Sequence, residues 1–275
     1  MKLKKLYKYN NGKQIWRILP TLNKKVVIEE RNQDNKEVFF SCINTESGKK
    51  IFSDLQLDEK SWVGIEAIYK DIIYFHSYGN PDMPAHKSII SYDIHSGSVL
   101  WKNDNYVFSF VYNNKVYCYQ QSFESKVFYV LDYLTGEISE EFDYDYVKLN
   151  QLKEKSDQEF FEHNYQFPEY FNSESSTNEL HEIYLKDFLS NNIIKGEISF
   201  LRFEDLLLFN YHQVDKNAKF SNEFIAYDLL KNKTLLVDTL DKNLVNLIPE
   251  SFFVKDDFLF LIIDKKRLDV YQIIK

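Results

Sequence analysis

Glycine and proline are scarce in this chain, at seven and five of 275 residues. That scarcity excludes collagenous, linker-like and low-complexity sequence. The two cysteines, Cys42 and Cys118, have no CxxC neighbour and no metal-ligand spacing, so they are read as buried free thiols of a reducing compartment. Arginine occurs only at positions 17, 31, 202 and 267, where bidentate recognition of phosphate would favour more of it. Long apolar runs are missing. The longest, Phe258–Ile263, is far below the ~20 residues that span a bilayer as a helix. The lysine-rich start, Met1 to Asn10, has no apolar stretch behind it and does not read as a signal peptide, so a cytoplasmic location is expected. There is no glycine-rich phosphate loop, no G-x-S-x-G, no H-E-x-x-H and no nucleophile-cysteine signature. The common enzyme classes lose support accordingly.

What the chain does have is aromatic bulk and negative charge. Aromatic residues make up 17%, with 23 Phe and 20 Tyr, and hydrophobic residues 44%. Flat side chains pack well on pleated surfaces, so this composition leans toward strands. Acidic residues outnumber basic ones 42 to 34, for a net charge of −8. That balance repels phosphate backbones and anionic lipid, so neither nucleic acid nor membrane is expected as a partner.

The clearest order is a repeat. In Ser91–Trp101 and again in Val130–Ile138 an Asp stands four residues before a Gly: Asp93 before Gly97, Asp132 before Gly136. Hydrophobic residues flank both pairs. The Asp side chain can accept hydrogen bonds from amides just ahead, and Gly supplies positive φ at the end of the turn, so each unit reads as a hairpin. Weaker copies occur as Asn44 before Gly48, Asp187 before Asn191, Asp228 before Asn232, and Tyr9–Gly12 leading into Trp16. These six turn positions lie 36 to 55 residues apart, near the roughly 40–50 residues of a four-stranded propeller blade. Strands such as Leu206–Phe209 and Phe258–Ile263 are apolar throughout, which implies cover on both faces.

These features predict an all-β fold, a β-propeller of four-stranded antiparallel blades in one domain over residues 1–275. Six blades are expected, with five or seven as alternatives, and a pair of β-sandwiches split near residue 150 is the competing architecture. An orphan strand at each end, 13–18 and 268–274, predicts closure by their pairing. Residues 145–182 break the pattern and read as an elaborated blade or insertion, with a short helix within 148–163. The segment Tyr92–Trp101 resembles a quinoprotein-type or WD40-like propeller repeat, with the pattern D-x-x-(T/S)-G-x-x-x-W. Leu131–Glu137 resembles it without the Trp, and Asn11-Gly12 with Trp16 resembles its second half. The whole chain looks like an uncharacterised bacterial family of single-domain propellers. Both resemblances imply architecture and carry no site residues across.

Candidate binding residues fall on the connections between second and third strands, where the sequence is irregular. The richest is Phe75–Lys87, read as a proline-restrained loop holding His76, Tyr78, Asp82 and His86. Imidazole and carboxylate groups there suit ligand binding or acid–base work. The histidine spacing is no metal signature, so neither a metal nor a cofactor is expected. Glu30 and Arg31, with Glu29, follow the apolar run Val26–Ile28 and read as a solvated strand end with a local ion pair or as a ligand contact. The dispersed carboxylates of the insertion read as a solubilising face. The sequence alone assigns no activity. It fits a monomeric, non-catalytic binding or scaffold propeller for a protein or small ligand. The alternative is an enzyme of hydrolase or lyase type with its site at the central opening.

Overall fold

The computed structural model describes residues 1–80, 83–121, 125–142, 145–161, 165–174, 179–214, 218–248 and 251–275. In chain order the strands are β1 (Lys2–Asn10), β2 (Gln14–Pro20), β3 (Lys25–Arg31), β4 (Val38–Asn44), β5 (Lys50–Leu55), β6 (Val63–Tyr69), β7 (Ile72–Asn80), β8 (Met83–Asp93) and β9 (Ser98–Asn103). Then come β10 (Val107–Tyr112), β11 (Lys115–Gln121), β12 (Lys126–Asp132), β13 (Ile138–Phe142), helix α1 (Tyr146–Phe161), β14 (Tyr165–Gln166), β15 (Glu169–Tyr170) and helix α2 (Leu180–Asn191). The chain continues as β16 (Lys195–Phe203), β17 (Leu206–Val214), β18 (Phe220–Asp228), β19 (Lys233–Leu244), β20 (Phe252–Lys255), β21 (Phe258–Ile263) and β22 (Arg267–Ile274).

Among the described residues the fold is all-β, built from five antiparallel sheets; six blades were expected, with five or seven as alternatives. Three have four strands in chain order: β2–β5, β6–β9 and β10–β13. The fourth runs β15-β16-β17-β18-β19 and the fifth β1-β22-β21-β20-β14, each with a two-residue strand added at one edge. The chain forms two compact units, Lys13–His163 with the first three sheets, and Met1–Gly12 with Asn164–Lys275 holding the other two.

One backbone hydrogen bond marks the repeat in all five sheets. The residue that begins the last turn, or its equivalent near the end of β22, donates its amide to a carbonyl in the hairpin between the first two main strands. The five are Thr45 to Lys24 (2.8 Å), Ile94 to Asp71 (3.0 Å), Tyr133 to Asn114 (3.3 Å), Leu229 to Asp205 (2.9 Å) and Ile273 to Asp257 (2.7 Å). The Asp–Gly turns have the chemistry their sequence implies. Asp93 accepts from the amides of His95 and Ser96 at 3.0 Å, Asp132 from those of Leu134 and Thr135 at 2.9 Å, and Gly97 and Gly136 both take φ of +70°. Glycine being scarce, three further hairpins place the non-glycine pairs Lys70-Asp71, Asn113-Asn114 and Asp264-Lys265 at positive φ.

Two of the six expected turns are something else. Asn191 ends α2, and its side chain donates back to the Asp187 carbonyl at 2.9 Å. A spacing of four suits a helix as well as a turn, so Asp187–Asn191 mimicked the repeat. Gly12 joins β1 to β2, which belong to different sheets. The ends do pair, but through β1 against β22, from Lys2 opposite Ile274 to Asn10 opposite Arg267. Residues 14–20 instead open the first sheet as β2.

Within the unit Lys13–His163, strand alternation explains the continuous apolar runs. On β7, Ile73 and Phe75 pack with Val27, Phe40 and Cys42 of the first sheet, while Ile72 and Tyr74 pack with Phe108, Val116 and Cys118 of the third. Each fully buried side chain of this size contributes about 1.5–3 kcal/mol. The Trp of the repeat ties neighbouring sheets: the Trp101 indole donates to the Tyr133 carbonyl (3.2 Å), and a Cβ added at Gly136 would lie 2.5 Å from its ring. α1 begins where Asp145 accepts from the Lys148 amide at 3.0 Å, a helix-capping contact, and it sets Leu149 and Leu152 against Phe110, Tyr117 and Val130.

In the other unit, α2 lays Tyr184, Leu185, Phe188 and Leu189 on Phe209, Tyr211 and Tyr227. The opposite face of that sheet, with Leu206, Leu208 and Phe224, packs against Phe252, Leu259 and Tyr271 of the last sheet. Cys42 and Cys118 are free buried thiols, and burial pushes both up to about 12. Among the described residues no helix is long and apolar enough to cross a membrane.

Candidate functional site

The segment expected as a loop over residues 76–87 is mostly strand. β7 runs to Asn80 and β8 starts at Met83, so most of the segment lies in these two strands. Asp82 lies outside the described residues. Prolines at 81 and 84 and Gly79 made the stretch read as loop, yet β8 tolerates Pro84 near its start.

Three register shifts shape the hairpin. On β6 the pairing with β7 slips between Ile65 and Ala67, leaving Glu66 as the extra residue of a bulge. On β8 the pairing slips opposite Phe75–Ser77, with Ser88 at φ +57°. A third slip lies between Tyr78 and Asn80. Bulges re-aim side chains locally, and here they gather Glu66, His76, Tyr78 and His86. The two imidazoles stack at 3.7 Å with 6° between their planes. Tyr78 stands edge-on to both, at 4.9 Å from His76 and 5.4 Å from His86, and Trp62 stands edge-on to Tyr78 at 6.2 Å.

Glu66 Oε1 serves both rings, 2.6 Å from His86 Nδ1 and 3.1 Å from His76 Nδ1. Burial works against the charge on Glu66, but the interactions with His76 and then His86 outweigh it and hold its carboxyl below the ordinary value. The two histidines differ in access. The His76 side chain is 5% exposed and that of His86 38%. Neither ring nitrogen of His76 has a hydrogen-bond partner, because its contact with Glu66 lacks hydrogen-bond geometry. His76 fits because residue 64 opposite is glycine: a Cβ there would lie 2.9 Å from His76 Cε1 and 3.1 Å from Nε2.

Glu30 and Arg31 sit on β3 of the first sheet, with partners of their own. The strand end is buried where a solvated one was expected. Glu30 is wholly buried and accepts from the Ser41 hydroxyl at 3.0 Å. Glu29 is 1% exposed and takes the Arg31 guanidinium at 3.0 Å, and that guanidinium lies 4.1 Å over the Trp16 ring. The local ion pair is there, on a buried carboxylate. Sequence reasoning passed over Glu66 and Gly64. The available signal was a lone carboxylate inside the apolar run Ile65–Ile68.

Residues 20–101, which include this site, match the family described as Domain of unknown function (DUF4905). No curated protein matches the chain. Among solved structures, the chain is similar to an uncharacterized protein from Listeria monocytogenes, at 12% identity over 96% of each chain with a TM-score of 0.36. It is also similar to the β-propeller domain of the Trilobed protease from Pyrococcus furiosus, at 12% identity over 95% of this chain and 70% of that one, TM-score 0.34. A CNH domain, AfRom2, matches at 10% identity over 100% and 99%, TM-score 0.35. Likeness at this level assigns no function.

Proposed function

We propose that this chain is a non-catalytic binding module on a β-propeller plan of five repeats, and that it takes a small ligand at the β7–β8 end of its second sheet. The plan is supported by the hydrogen bond that recurs once per sheet and by the last sheet borrowing β1. The binding reading is carried by His76, which is nearly wholly buried and unsatisfied beside an accessible His86. Buried polar groups in native proteins are overwhelmingly hydrogen-bonded. Leaving one open next to a solvent-reachable partner is what a receptor site requires. Two buried free thiols fit a reducing, cytoplasmic setting.

The test is a screen of small carboxylates and heteroaromatics in metal-free buffer, read through the histidine Hε1 resonances. Ligands should shift His76 and His86 together along one saturation curve. Tyr78→Ala and His86→Ala should weaken binding about tenfold or more, a loss of ~1.4 kcal/mol, with circular dichroism unchanged. Binders that move only resonances elsewhere would refute the assignment.

A further inference from the structure

Resting on that reading, we propose that the ligand is a divalent transition-metal ion of the zinc class, held by Glu66, His76 and His86. The three residues each offer a donor atom, and these atoms lie within 4.8 Å of one another. Two imidazoles and a carboxylate are the donor set of zinc, nickel and copper(II). Magnesium and calcium take oxygen ligands instead. Three protein donors leave a coordination position for water or a further ligand.

The independent observation is the state of His76. Its ring is held over Gly64, about 95% of the side chain is out of solvent, and both nitrogens are without hydrogen-bond partners. An unmet buried donor or acceptor carries its full desolvation penalty, and coordination would remove that cost. Glu66 arrives by a bulge in β6, so the carboxylate is placed by a local departure from the ladder. Bulges of this kind cluster next to functional sites.

The geometry also says which residue must move. Imidazole donates its lone pair in the ring plane. Two rings stacked at 3.7 Å and 6° cannot aim both lone pairs at one ion. His76 is fixed by Gly64 beneath it, so the ring that turns is His86, whose side chain is 38% exposed. Metal binding therefore breaks the stack, and the ring-current shift of both Hε1 resonances changes with it.

The experiment titrates Co²⁺ alone into the tag-free full chain, following visible d–d absorption, histidine Hε1 shifts and displacement by Zn²⁺. The expected result is one equivalent bound, with the stack signature lost. Binding should weaken at least tenfold in His86→Ala and in Glu66→Gln, each with unchanged circular dichroism. His95→Ala, on an exposed turn of the same sheet, should bind as the parent does. Gly64→Ala, which pushes on the His76 ring, should weaken binding without removing a donor. Co²⁺ left unbound at millimolar concentration, or bound equally by His86→Ala, overturns the metal assignment. If small organic ligands still shift His76 and His86 after that result, the binding site stands and only its metal falls. If they do not, both fall.

Discussion

Four sheets of this protein and the fifth obtain their outer main strand in opposite ways. In the first four, a short turn led by Asp or Asn delivers it: Asn44–Gly48, Asp93–Gly97, Asp132–Gly136 and Asp228–Asn232 stand between β4 and β5, β8 and β9, β12 and β13, β18 and β19. In the fifth, β1 supplies that strand, pairing with β22 from more than 250 residues away along the chain. The first arrangement is local, and its cost in chain entropy is small. The second closes a loop of nearly the whole chain, so side-chain contacts must secure it. Those contacts are present. Tyr9 is 4% exposed, Leu3 packs into the core of its unit, and Lys5 pairs with the wholly buried Asp269.

Deleting residues 1–10 should have the largest effect. It opens the β22 edge, uncovers apolar surface and takes Lys5 away from the buried Asp269 carboxylate, leaving Arg267 as its remaining ion-pair partner. We expect loss of the cooperative thermal transition of the unit Met1–Gly12 with Asn164–Lys275, followed by calorimetry. An unchanged melting temperature would show that β1 adds nothing to that sheet.

A locally delivered strand should fail more gently. Gly136→Ala puts a methyl group 2.5 Å from the Trp101 ring at a residue with φ +70°. Left-handed strain and overpacking together should cost about 2–4 kcal/mol, lowering Tm by roughly 5–10 °C. The control is Gly12→Ala, at φ +77° with nothing within 4 Å of the added carbon. It should lose only the backbone term, about 1–2 kcal/mol. Equal losses in the two would mean that Trp101 does not clamp its neighbouring sheet.

The smallest effect tests how the last two sheets hold each other. The Asp264 amide donates to the Leu240 carbonyl at 2.8 Å, and burial, with the nearby Asp264 charge, pushes the Asp241 carboxyl up to about 6 from 3.8. A carboxyl raised on folding favours the native state below its unfolded value and loses that advantage as pH rises through about 6. Asp241→Asn should therefore raise stability at pH 7.5 by about 1 kcal/mol after allowance for screening, and leave it unchanged at pH 4. Denaturant titration at the two pH values decides it, and a gain of equal size at both would point away from charge.

Much of this architecture was legible because its turns are chemically explicit. Asp93 and Asp132 announce themselves through the amides they accept from. Uniformly apolar strands such as β21 announce two covered faces. The sequence offers six turns against five sheets because a spacing of four serves two structures, as at Asp187–Asn191, and because Gly12 reads as a hairpin turn. The terminal strand was misplaced because Lys2, Lys4, Lys5 and Lys8 hide a strand pattern under charge. At the site, His76, Tyr78 and His86 were singled out for their types. What joins them to Glu66 is a set of register shifts, and a bulge leaves no mark in composition or periodicity.

The pairing of β1 with β22 also sets an order of events during synthesis. β1 is made before β22, and its partner follows more than 250 residues later. At about 5–20 residues per second, that leaves an unpaired strand waiting for roughly 10–50 seconds. A bare apolar strand exposed for so long would seek other edges, including those of neighbouring nascent chains. Four lysines in the nine residues of β1 give it a charge that repels its own copies, a protection common to exposed edge strands. The feature that obscured this strand in the sequence is thus suited to keeping it single until its partner exists.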